Sequence, residues 1–215
     1  MAADISYWLQ SVSNRVPGAT KEIIDDAIRS SARKFCSDTH LYVRQLTAIN
    51  IVALTPTYTL TAPSDTAIVD VEHVEINDKP IDAVSEDLLN KSNENWRTQE
   101  STEPTQIMVD PERVLRLKQI PTEDITGGLK VWVSLKPNPT TTVIPDFIYD
   151  DWFDCVLNGA LSKLLKQPNQ VWTNIQLGNF YENEYDGEMT KARGKRITGK
   201  TSVRLRVQQP PFRIY

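Results

Sequence analysis

Read as a pattern of apolar and polar positions, the chain opens with Ile5, Trp8, Leu9, Val12 and Val16 at helical spacing, closed by Pro17-Gly18. That pattern predicts a short amphipathic helix and its stop. Thr20 stands where it could cap a second helix over about Lys21 to Ser37, and the acidic Glu22, Asp25 and Asp26 suit the positive end of its dipole. Ile24, Ala27, Ile28, Ser31 and Phe35 form one face of that helix. From Leu41 the period shortens to two. Val43, Gln45 and Thr47, then Tyr58 to Thr61, then Ile68, Val69, Val71, Val74 and Ile76 read as strands, and Asn77-Asp78-Lys79-Pro80 supplies a turn.

Ser85 precedes Glu86, Asp87, Leu88 and Leu89, a short helix with an acidic start, and a polar stretch from Asn90 to Glu103 follows it. Thr105–Val109 and Arg113–Leu117, joined by Asp110-Pro111-Glu112, read as a β-hairpin. Gly127-Gly128 is expected to turn the chain into a strand over Leu129–Leu135, which Pro137 and Pro139 end near residue 140. After Pro145 comes a long helix in which Ile148, Trp152, Phe153, Val156, Leu157, Ala160, Leu161, Leu164 and Leu165 cover more than half the circumference, so it should be central and largely buried. Leu177, Tyr181, Tyr185, Met189 and Ala192 mark a last helix, beyond which Gly194 to Tyr215 is expected to be an extended arm.

Helices, strands and helices in that order predict an α+β fold. We expect a bundle of about four helices built from residues 1–40 and 141–196, an inserted antiparallel β subdomain over 41–140, and an extended C-terminal arm over 197–215.

The 215 residues are 40% hydrophobic and 24% charged, which excludes a wholly disordered or fibrous chain. No apolar run approaches the roughly 20 residues that cross a bilayer, and Met1-Ala2-Ala3-Asp4 lacks the basic-then-apolar layout of a secretory signal, so no membrane partner and a cytosolic site of synthesis are expected. The net charge of -4 conceals an asymmetry. Residues 1–188 carry 16 basic side chains and all 28 acidic ones, for -12, whereas the remainder carries +8. The basic groups there are Lys191, Arg193, Lys195 and Arg196, then Lys200, Arg204, Arg206 and Arg213. Such segregation points to an acidic partner, protein or nucleic acid.

Reactive chemistry is sparse. Cys36 and Cys155 sit in apolar helical patterns and read as buried free thiols. His40 and His73 have no partner at metal-ligand spacing, and no phosphate-cradling glycine loop is present, so neither a metal nor a cofactor is expected. Asp150, Asp151 and Asp154, with Glu182, Glu184, Asp186 and Glu188, could pair carboxylates for glycoside hydrolysis, but a helix dipole and an exposed acidic face explain them more simply. Trp152, Phe153, Trp172, Phe180, Tyr181 and Tyr185 could stack nucleic-acid bases, though helical spacing favours a core role. Phe212, Ile214 and Tyr215 close a basic tail, and exposed aromatics there are costly unless they dock.

Val131–Pro137, then Ile144-Pro145-Asp146 opening a helix, Asn158-Gly159-Ala160-Leu161, Leu164-Leu165, Pro168, Trp172 and Phe180-Tyr181 occur in an order that resembles the head-to-tail adaptor (connector) proteins of tailed double-stranded DNA phages. The resemblance covers roughly residues 129 to 196. It implies a helical bundle with a β insertion and a virion structural protein of the neck, not an enzyme. The implied assembly is a dodecameric ring beneath the portal protein that bears tail or nozzle components and surrounds a channel for genome DNA. In that setting the expected partner-binding residues are Lys200, Arg204, Arg206, Phe212, Arg213, Ile214 and Tyr215, with Lys191, Arg193, Lys195 and Arg196 as a secondary basic cluster. The alternation of Val203, Leu205 and Val207 with Arg204 and Arg206 suggests that the arm adds as a strand to a sheet, and the portal, a neighbouring subunit and the arm's own subunit all remain open as its host. The alternative function is a DNA-binding module using the basic C-terminal segment.

Overall fold

The computed structural model describes residues 2–92 and 95–199. A short strand β1 (Ala2–Asp4) leads into helices α1 (Ser6–Ser13) and α2 (Lys21–Thr39). Strands β2 (Val43–Gln45), β3 (Ile49–Ile51), β4 (Thr57–Thr59), β5 (Thr66–Ile76), β6 (Lys79–Pro80) and β7 (Asp82–Ala83) precede helix α3 (Glu86–Ser92). After a 3-10 turn at Trp96–Thr98 come β8 (Glu100–Ser101), β9 (Gln106–Val109), β10 (Val114–Leu117), β11 (Ile120–Pro121), β12 (Ile125–Pro137) and β13 (Val143–Pro145). Helices α4 (Asp146–Leu165) and α5 (Ile175–Thr198) complete the described chain, which is mixed α+β.

The apolar stripes read from the sequence meet in two clusters. In one, Trp8 and Val12 of α1, Ile28 and Phe35 of α2, Ile148, Val156 and Leu161 of α4, and Tyr185 and Met189 of α5 are buried together. Close helix approach is set by Gly159, where an added Cβ would lie 2.8 Å from the Tyr185 ring and also against the Ser31 hydroxyl. Beside it the Tyr185 hydroxyl donates to the Ser31 carbonyl at 3.2 Å. The other cluster lies among strands and buries Leu60, Ile76, Ile107, Leu115, Leu129, Val133 and Leu135.

One five-stranded sheet runs β2-β12-β5-β6, with β3 also on β12. The turn from β5 to β6 has Asn77 and Asp78 at φ 51° and 62°, the two positive values that a tight two-residue hairpin requires. A four-stranded sheet runs β4-β10-β9-β7, and its β9–β10 hairpin is the one expected at Asp110-Pro111-Glu112, completed by left-handed Arg113 at φ 67°. Arg29 and Arg33 of α2 reach the end of β12 and the segment after it, donating to the carbonyls of Thr141 at 2.9 Å and Pro137 at 2.8 Å.

Five details depart from the sequence reading. Thr20 makes no capping bond to a helix N–H; its hydroxyl turns to the Glu22 carboxylate, which that residue's own N–H and then this bond hold below its ordinary range. Gly127-Gly128 does not turn the chain: Gly127, at φ 62°, lies inside β12 where its register against β3 shifts, a bulge that a positive φ permits. Strand pairing does not end near residue 140, because β13 pairs antiparallel with β1. The long helix α4 is kinked at Trp152 (φ -134°, ψ 25°), where the indole of Trp8 donates to the next carbonyl, that of Phe153, at 3.1 Å. Finally, α5 continues through Ile197 and Thr198, so the arm cannot begin at 194 or 197; Lys195 and Arg196 suit the negative end of a helix and support its last turn.

Candidate partner-binding site

Four basic side chains cluster near the C-terminal end of α5, and they have different jobs. Helix α2 ends at His40, which adopts φ 51° and donates its N–H to the Cys36 carbonyl at 3.0 Å. The carbonyls of a helix's last turn lack helical partners and need donors. Arg193 Nε donates to the Asp38 carbonyl at 3.2 Å, and Arg196 donates to the His40 carbonyl at 3.1 Å and forms an ion pair with Glu72 of β5. These two arginines therefore fasten the end of α5 to α2 and to the sheet. Lys191 and Lys195 are exposed; the Lys195 ammonium stands 5.0 Å from the centre of the Trp152 ring.

A polar node lies beneath Arg196. The Glu72 carboxylate is 2.8 Å from His40 Nδ1, and the Ser134 hydroxyl is 3.2 Å from the same nitrogen. A serine, a histidine and a carboxylate thus meet, but the general-base arrangement requires hydroxyl and carboxylate on opposite ring nitrogens, and here both approach Nδ1. Ser134 is fully buried and also receives the Asp70 N–H at 3.1 Å. The node ties α2, β5 and β12 together. Burial pushes the Glu72 carboxyl above its ordinary range, against the pull of the Ser134 hydroxyl.

An apolar groove of about 340 Å³ opens beside this node, lined by Leu41, Val43, Phe147 and Trp152 together with Asp151, Lys195 and Gly199. The sequence reading placed Trp152 in the core; it is 7% exposed and also faces this groove. Nothing in the sequence signalled the groove or the node, because His40, Glu72 and Ser134 are far apart in the chain and carry no motif.

The other candidates are dispersed. Of the six aromatics, Trp152 and Tyr185 are buried and Phe153, Trp172 and Tyr181 pack against the core, while Phe180 is 54% exposed. Cys36 and Cys155 are buried free thiols, and burial pushes the Cys36 thiol up to about 12. Glu188 does not lie on a wholly exposed acidic face: it is half-buried, and burial together with Asp154 and Glu184 raises its carboxyl above the usual range, against Lys191. Glu182 is paired with Lys166. Among the described residues no group of three or more His, Cys, Asp or Glu is placed to hold a metal ion, and no helix is long and apolar enough to cross a membrane. Lys200, Arg204, Arg206, Phe212, Arg213, Ile214 and Tyr215 lie outside the described residues.

Compared with known proteins, the chain matches no family model and no curated protein.

Proposed function

We propose that this chain is a structural protein of a tailed phage, a head-to-tail adaptor that joins a ring beneath the portal, extends the DNA channel and offers an attachment site for tail or nozzle components. In this reading the helices at the two ends of the chain form a four-helix bundle, and residues 41–140 are a β insertion on it. The carrying observation is the anchoring of α5 by Arg193 and Arg196: the basic, aromatic-tipped segment after Gly199 starts from a fastened helix end beside an apolar groove. Its charge would guide it to an acidic partner, and aromatics buried there would hold it.

Ring formation needs two different faces whose rotation closes, and dodecameric closure follows from the same family reading. The acidic body, at -12 over residues 1–188, would repel phosphates and let genome DNA pass without sequence-specific binding. The test is electron microscopy and pull-down of the full chain with its portal protein. Rings on the portal, lost in a chain ending at Gly199 that still folds, are the expected result. No attachment of the full chain, combined with steeply salt-dependent binding to duplex DNA, would replace this reading with a DNA-binding module.

A further inference from the structure

We propose that Lys163 is an acyl-accepting amine, and that the groove between α2 and the end of α4 into which it opens takes small acyl thioesters. The groove belongs to the helical body, whatever the chain's place in an assembly.

Glu22, Ile23, Asp26, Ala27 and Ser30 recur along α2 at the spacing that puts side chains on one helix face. Lys163 of α4 and Gln167, just past its end, share with that row a groove of about 330 Å³, a size within the range of small-molecule sites. Ile23 and Ala27 supply its apolar lining. Lys163 Nζ donates to the Ser30 hydroxyl at 2.5 Å, which fixes the end of a long side chain that would otherwise be free to turn. The amine is therefore held in one place, beside a space that admits a small molecule.

The setting favours a free amine. Lys163 is half-buried, and burial lowers the pKa of its ammonium; the Lys34 charge lowers it further, against the pull of Asp26, which is largely exposed and paired with Arg29 at 3.5 Å. Glu22, the other carboxylate of the groove, is exposed. A lysine desolvated beside a second cation is the arrangement that makes an amine nucleophilic near neutral pH. The neutral amine keeps one N–H on Ser30 and turns its lone pair to the groove. It attacks the thioester carbonyl carbon: the C–N bond forms, the C–S bond breaks, and the departing thiolate takes up the proton that the nitrogen loses, leaving an amide and a free thiol. A donor near the carbonyl oxygen stabilises the charge that develops there, and the Gln167 side-chain amide lines the same groove. Amide formation removes the half-buried positive charge near Lys34, and the remaining amide N–H still has the Ser30 hydroxyl as its acceptor.

Treating the full chain with S-acetyl-N-acetylcysteamine, a small acetyl thioester, and following each lysine by peptide mass spectrometry tests this. At about pH 7.5 Lys163 should be acetylated at least about fivefold faster than the exposed Lys21 and Lys191. The difference should shrink toward about pH 10, where lysines in general lose their protons. Lys34→Gln should slow acetylation of Lys163 severalfold and leave that of Lys191 unchanged, and Ser30→Ala should slow it too, because the amine is no longer held. Acetylation of Lys163 no faster than that of Lys21 and Lys191 overturns the proposal, whether the amine is shielded or stays protonated. A fast rate that both variants leave unchanged overturns it as well, since neither the second cation nor the serine would then be its cause. Because the assay contains no portal, failure of the adaptor reading leaves its result unchanged.

Discussion

Arg196, in the last turn of α5, donates to the backbone carbonyl of His40, the left-handed residue that ends α2, at 3.1 Å. The same guanidinium pairs with Glu72, so one side chain closes the end of a helix and neutralises a half-buried carboxylate on the sheet. Arg196→Ala removes both contacts and should cost about 1–2 kcal/mol, since bonds to charged groups exceed neutral ones but the pair is only partly shielded from water. In a chain of this size that is a fall in Tm of about 2–8 °C. Arg196→Lys keeps the charge but not the fork, and should recover only part of it. A melt of Arg196→Ala equal to that of the parent protein would remove this anchor from the account.

Gly159→Ala should destabilise by about 1–3 kcal/mol, because its Cβ would sit 2.8 Å from the buried Tyr185 ring and the helices must separate to admit it. Denaturant titration measures this directly. Tyr185→Phe in the Gly159→Ala background should change little further, since the displaced ring has already lost its bond to the Ser31 carbonyl.

Glu188 makes stability depend on pH with a definite sign. Its folded-state carboxyl lies above the ordinary range, so its favourable contribution is full below the ordinary carboxyl pKa and is lost as pH rises through the raised folded value. Glu188→Gln should therefore raise Tm at pH 7 relative to the parent protein, with the advantage vanishing near pH 4. Thermal melts of the pair at the two pH values check it, and an advantage that grows on acidification would reverse the assignment.

Leu164 and Phe180 separate packing from surface. Leu164 is fully buried, and Leu164→Ala should cost about 2–5 kcal/mol. Phe180 is 54% exposed, and Phe180→Ala should leave the melt within about 0.5 kcal/mol of the parent protein. A large loss at Phe180 would show that its contact with the Tyr181 ring matters to the fold.

The helices, the β9–β10 hairpin and the buried thiols were legible in the chain itself, because period, turn residues and breakers act over a few neighbouring positions. Apolar residues at i, i+3, i+4 spacing need no knowledge of their partners to declare a buried face, and α2 and α4 declare theirs in that way, whereas on α5 Tyr185, Met189 and Ala192 are buried but Leu177, read as part of the same face, is exposed. The two glycines at 127 and 128 misled for the same reason: a bulge and a turn share a residue preference, and only pairing with β3 distinguishes them. The pairing of β1 with β13, the kink where Trp8 meets Phe153, and the meeting of His40, Glu72, Ser134 and Arg196 carry no local signal. The tertiary structure alone decided which cations of the basic cluster fasten the body, Arg193 and Arg196, and which stands over an aromatic ring, Lys195 over Trp152. Charge along a chain records how many cations there are; which of them reach an orphan carbonyl or a buried carboxylate depends on elements more than a hundred residues away arriving at the same place.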